Sequence, residues 1–172
     1  MKFITSALML LAVACVVGGC SKTDHPAGSA ATPAGQQYLL PDEPAGALSV
    51  IDAAKDAKEN EQIVVVGRIG GDPHPWIDDL AAFTIVDVSL KPCSEIPGDT
   101  CETPWDYCCE LNTLPSASAT VKIVSENGEP VAVGAKKLLG LKELQTVVVR
   151  GKAHRDPEGG LSILASDLFV RK

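Results

Sequence analysis

The run Ile63-Val64-Val65-Val66-Gly67-Arg68-Ile69-Gly70-Gly71 sets the fold class. Four β-branched residues in succession favour extended backbone, and Gly67, Gly70 and Gly71 permit a bulge or a sharp bend. This is the first strand. Upstream, Leu48, Ile51, Ala54 and Lys58 give one apolar side over barely three turns, so a short packing helix is expected between Leu48 and Asn60. Downstream, Ala82 to Val88 alternates with Phe83 and Ile85 on one side and Thr84 on the other, although Val86 and Val88 blur the polar face. Thr120 to Ile123 is a third strand, and Asn127-Gly128, suited to a turn with positive φ, predicts a hairpin returning through Val131 to Val133. Lys136 to Leu144 places Leu138 and Leu141 one turn apart in a short helix that Gly140 weakens. Val147 to Val149 and Leu161 to Ile163 form the last pair across the turn Arg155 to Gly160, with Leu168 to Val170 extending the fifth strand or adding a sixth.

Three strands, a short helix and two more strands is an order that resembles the OB-fold, a five-stranded Greek-key barrel. The predicted class is therefore mainly β, an OB-like barrel domain over 47–172 with a short helix between strands 3 and 4. An immunoglobulin-like sandwich is the competing architecture, but it calls for about seven strands and no helix at that point. The resemblance implies a ligand surface on strands 2 and 3, bounded by the loops joining strands 1 to 2 and 4 to 5. Pro73-His74-Pro75-Trp76 falls in the first loop and His154-Arg155 in the second, so His74, Trp76, His154 and Arg155 are the candidate ligand-binding residues. Alternating strand directions would bring both histidines to one pole and the loop after strand 2 to the other. The plainer expectation is that Trp76 plugs the barrel end and the histidines are surface turn residues.

The N-terminus carries an address. Lys2 precedes an eleven-residue uncharged run, Ala7 to Val17, that ends in Val17-Gly18-Gly19-Cys20. This resembles the lipobox of bacterial lipoproteins, which implies a signal peptide over 1–19, cleavage before Cys20, and acylation of Cys20 by chains of the palmitate type. An ordinary secretion signal cleaved near Gly19 would export the chain equally. Two or three acyl chains make anchoring effectively permanent, at about 0.8 kcal/mol per buried methylene. Ser21 stands where an aspartate would favour inner-membrane retention, so the resemblance implies an outer-membrane anchor facing the periplasm. From Ser21 to Gly46, 14 of 26 residues are Pro, Ala, Gly or Ser, which predicts a flexible tether over 20–46 in which His25 is merely solvated.

The unusual feature is a cysteine-rich loop over 91–112, where Cys93, Cys101, Cys108 and Cys109 sit within 17 residues. An exported compartment and an even count favour two disulfides. A bond between adjacent Cys108 and Cys109 would be strained, which leaves 93–108 with 101–109, or 93–109 with 101–108. Four thiolates also suit zinc or copper(I), and Glu95, Asp99, Asp106 and Glu110 offer oxygen ligands, but gaps of seven, six and no residues depart from paired metal knuckles. A thiol-redox site lacks the Cys-x-x-Cys motif, and acidic surroundings raise thiol pKa values. Trp105 and Tyr107 would form the loop's own small core or stand out as partner anchors.

Composition narrows the rest. The 172 residues are 45% hydrophobic and 22% charged, with a formal charge of −7, which fits one globular domain and disfavours bulk electrostatic binding to nucleic acid. Residues 38–112 carry fifteen acids against four bases, whereas 136–172 carry eight bases against four acids. A basic C-terminal strip would still need stacking aromatics to hold single strands. There is no nucleophile elbow, phosphate loop or paired-histidine motif, and Asp78-Asp79 reads as a solvated turn. The expectation is a membrane-anchored, non-catalytic binding or scaffolding module at the cell envelope, with a protein or glycan partner and no cofactor beyond the lipid on Cys20. The alternatives are metal or redox chemistry at the four cysteines, and a single-stranded nucleic-acid module.

Overall fold

A computed structural model describes residues 30–172. The expected signal peptide, Cys20 and His25 lie outside the described residues. Pairing runs β2 (Gln62–Ile69), β4 (Ala82–Val86), β5 (Ser118–Ile123), β7 (Leu161–Val170), β6 (Thr146–Arg155) and back to β2. That is a closed five-stranded barrel, antiparallel except where β5 and β7 run parallel. The first, second, third, fifth and fourth strands follow one another around it, the Greek-key order of an OB-like barrel. Two short strands lie at its margins, β1 (Leu48–Ser49) beside β2 and β3 (Trp76–Ile77) beside β4.

Alternation fills the interior. Ile63, Val65 and Ile69 from β2, Phe83 and Ile85 from β4, Ala119, Val121 and Ile123 from β5, Val147, Val149 and Ala153 from β6, and Leu161, Ile163, Ala165 and Leu168 from β7 share one buried cluster. Ala165 and Leu168 both reach it although three positions apart. Between them the β6–β7 register shifts, Gly151 pairing with Ala165 and Arg150 with Asp167, so Ser166 is a bulge that turns the strand over. The last strand is therefore one element of ten residues. Gly151 sits where a Cβ would meet Leu164 O at 2.3 Å.

Closure is thinnest between β2 and β4. Only Arg68 with Val86 and Ile69 with Ile85 pair there, against seven pairs between β2 and β6. The expected break falls at Gly70–Gly71, after the strand, while Gly67 stays within β2 and lets Ile85 and Val50 pack against its backbone. Gly71 takes a positive φ of 91° as the chain leaves the barrel.

The helices are shorter than their sequence patterns suggest. α2 (Val50–Asp56) starts at Ser49, whose hydroxyl accepts from Asp52 N–H and donates to the Asp52 carboxylate, and it ends at Ala57. After the one-turn α3 (Leu114–Ala117), α4 (Ala135–Leu139) stops where Gly140 adopts the left-handed conformation, with Leu138 and Leu139 turned into the core. Asn127-Gly128 does form a tight turn, but Val131 to Val133 is not a strand. Val131 N–H bonds to Ile123 O while its carbonyl accepts from Ala81, so the arm ties two strands together instead of extending a hairpin.

Residues 32–40, expected to belong to the tether, are docked on the domain. α1 (Pro33–Gln36) packs on α4 with Gly35 buried, Thr32 N–H and hydroxyl both donate to Leu138 O, and Leu168 exchanges backbone hydrogen bonds with Tyr38 and Leu40. Among the described residues, contacts with the barrel domain reach back to Thr32.

Candidate functional site

The cysteine loop does not cap a barrel pole. Between β4 and β5, residues 87–117 fold back along the outside of the barrel and cover the thin β2–β4 seam. Tyr107, fully buried, packs with Leu90, Leu114 and Ala117 on Val86, which explains why an outward position of β4 is apolar. Trp105 O accepts from Gly71 N–H, and Arg68 on β2 pairs with Glu95 at 2.6 Å. The Tyr107 hydroxyl has no hydrogen-bond partner, and burial pushes its pKa up to about 12 despite the nearby Arg68 charge.

Backbone bonds, not sulfur bonds, give the loop its shape. Cys93 N–H donates to Asp106 O at 2.8 Å and Ser94 N–H to Pro104 O at 3.1 Å, which lays the start of the loop against 104–106. Cys101 N–H is held by the Asp99 carboxylate at 2.7 Å. The sulfurs of Cys93, Cys101 and Cys108 consequently lie within 4.8 Å of one another, and Asp99, Cys108 and Cys109 form a second such group. Among the described residues no two sulfurs are at bonding distance; Cys93 and Cys108 approach to 3.3 Å. Burial and the Cys108 thiol push the Cys93 pKa up to about 12, whereas Cys101, facing the Thr103 backbone N–H and hydroxyl, is lowered. Cys108 is raised, because burial and the adjacent Cys109 outweigh the help of Cys93. This cluster could hold a metal ion.

A second site opens where the loop meets the strand 1–2 connection. A cleft of about 560 Å³ is lined by Trp76 and Trp105 together with His74, Asp78, Lys136 and Glu143. Its size is in the range of small-molecule sites. The Trp76 indole N–H donates to Glu143 Oε1 at 2.7 Å, Lys136 donates to the same oxygen at 2.7 Å, and the Lys136 ammonium lies 5.2 Å from the Trp76 ring centroid. Trp76 leans on Phe83 at 5.8 Å. Trp105 is fixed by its own N–H to Pro73 O at 3.1 Å. Burial pushes the Glu143 carboxyl up, but the Lys136 ammonium, its own backbone N–H and the Trp76 indole outweigh this and hold it below its usual range. Glu143 is an ionised group shared by two donors.

No protein-family model matches the chain, and no curated protein matches it.

The four candidate ligand residues separate into two pairs. His74 and Trp76 share the cleft near the start of β6. His154 and Arg155 stand at the far end of that strand, about 25 Å of extended chain away. The histidines do not meet at one pole, because Trp76 pairs beyond the end of β2 whereas the turn after β6 returns beside the start of β2. His154 Nδ1 contacts the Glu59 carboxylate at 2.9 Å, and Glu59 also accepts from Arg155 N–H. The Arg155 guanidinium caps α2, donating to the carbonyls of Ala54, Ala57 and Ala53. Lys136 and Glu143 were not foreseeable as partners of Trp76, from which they are separated by 60 or more residues.

Proposed function

We propose that the chain is an exported lipoprotein, anchored to the envelope through acylated Cys20, whose barrel is a non-catalytic module that binds glycan in the Trp76–Trp105 cleft. The observation that carries this reading is the pair of indoles whose N–H donors are both satisfied by the protein. Their rings are held in place before any ligand arrives, which lowers the ordering cost of binding. Aromatic faces suit the apolar C–H faces of sugar rings, while Glu143, Lys136 and His74 suit hydroxyls and acylamino groups. Of the two carboxylates that line the cleft, Asp78 and Glu143, the latter is ionised and already engaged by two donors, which leaves it poorly placed as a general acid or base.

Nucleic acid fits poorly. The groove on the outer face of β4 and β5, between the loops that the OB resemblance makes the binding boundary, is lined by Thr84, Ser118 and Thr120 with Asp72 and Asp156 at its ends. It contributes neither stacking aromatics nor cations to a polyanion.

Both tryptophans of the chain line the cleft, so intrinsic emission reports on it directly. Full-length lipoprotein in detergent, titrated with chitotetraose, is expected to show a saturable change in emission that Trp105→Ala abolishes. No change up to ~1 mM, about −4.1 kcal/mol of binding free energy, would count against a glycan ligand and leave a protein partner as the reading.

A further inference from the structure

We propose that Cys93, Cys101 and Cys108 form a three-thiolate binding site for Zn²⁺, completed from the second triad by Asp99 or Cys109. The three sulfurs come from separate parts of the loop and converge within 4.8 Å. Tetrahedral zinc with bonds near 2.3 Å places its sulfur ligands ~3.8 Å apart, between the 3.3 Å separation of Cys93 and Cys108 and the 4.8 Å limit of the triad, so the ion is seated by small side-chain shifts. Convergence is imposed by the backbone, through Cys93 to Asp106, Ser94 to Pro104 and Cys101 to Asp99. Backbone hydrogen bonds are thus enough to bring the sulfurs together, so the cluster does not need a disulfide to converge.

The sequence spacing that counts against a knuckle loses its force here. A knuckle brings two cysteines together through one tight turn, whereas Cys93 reaches Cys108 because the single 3-10 turn Cys93–Glu95 is hydrogen-bonded to 104–106. Cys93 is 2% exposed and forms the inner ligand; Cys101 is half-buried, and Cys108 and Cys109 face solvent, leaving an entry path for the ion. Arg68 does not neutralise the cluster, since its guanidinium is paired with Glu95. On binding, three thiols lose three protons to solvent, or four thiols four where Cys109 rather than the Asp99 carboxylate completes the site, and each ligand atom donates an electron pair to Zn²⁺, with no change of oxidation state. The ion also closes the segment from Cys101 to Cys108, the part of the loop that carries Trp105.

This site is separate from the cleft, and either assignment can fail alone. The test is native mass spectrometry of the full-length lipoprotein in detergent, reduced, stripped with chelator and then given ZnCl₂ alone, with Co²⁺ as a spectroscopic substitute. One Zn²⁺ per chain and a thiolate-to-Co²⁺ charge-transfer band are expected. Cys101→Ser, at a half-buried position, should weaken Zn²⁺ by more than about 100-fold, beyond the loss of an outer-shell partner, with an unchanged circular dichroism spectrum. Failure of the reduced chain to hold Zn²⁺ would overturn the proposal. So would Cys101→Ser binding as well as wild type, the result expected if Cys93 and Cys108 are simply a disulfide pair in waiting.

Discussion

Asp87 Oδ2 accepts the backbone N–H of Ile51 at 3.0 Å, joining the base of the cysteine loop to the first turn of α2. The side chain is 2% exposed, and its other oxygen accepts from Ser89 N–H and the Ser89 hydroxyl. One carboxylate thus closes an orphan donor at a helix start and the turn that launches the loop. Burial pushes its pKa up, but the Ile51 and Ser89 donors outweigh it and hold the value below the ordinary 3.8.

Asp87→Asn places an amide N–H against these donors and is expected to cost about 1–3 kcal/mol in urea unfolding. The sign of the pH effect is set by the lowered folded value. Stability from this group is fully present above the unfolded pKa, near 3.8, and is lost as pH falls through the lower folded value. The wild type should lose more stability than Asp87→Asn between pH 4 and pH 2, about the unfolded carboxylate range. Equal acid slopes would show that Asp87 is not held in this way.

Arg155 supports the fold at a point where an OB resemblance places ligand contacts. Arg155→Ala removes charge-assisted bonds to three α2 carbonyls and is expected to destabilise by about 1–3 kcal/mol. Chitotetraose titration of the same variant should be unchanged. Weakened titration with intact stability would move the ligand to the His154 end of the barrel.

How far the sequence carries the fold depends on where the information resides. The five strands and the helix between the third and fourth are legible because alternation, β-branching and turn residues are local, and Val86 hints at the covering loop by being apolar on an otherwise outward face. Thr32 to Leu40 reads as a tether because its docking uses backbone hydrogen bonds, the missing side chain of Gly35 and only the adjacent pair Tyr38 and Leu39 on the core, none of which leaves an apolar period. The sulfur cluster is legible as four nearby cysteines but not as a convergent set, since pairing of Cys93 and Ser94 with 104–106 brings them together. Trp76 stands out in sequence, whereas Glu143 and Lys136 reach it only through the packing of α4 and the turn after it against β3.

The most direct measurement of the proposed binding role is hydrogen–deuterium exchange on the full-length chain, with and without saturating chitotetraose. Ligand-dependent protection is expected at 73–77, 103–107 and 136–143, the three segments that wall the cleft, with 154–160 unaffected. Protection confined to Thr84, Ser118 and Thr120 on the β4–β5 groove, or no protection at all, would contradict glycan binding between the two tryptophans.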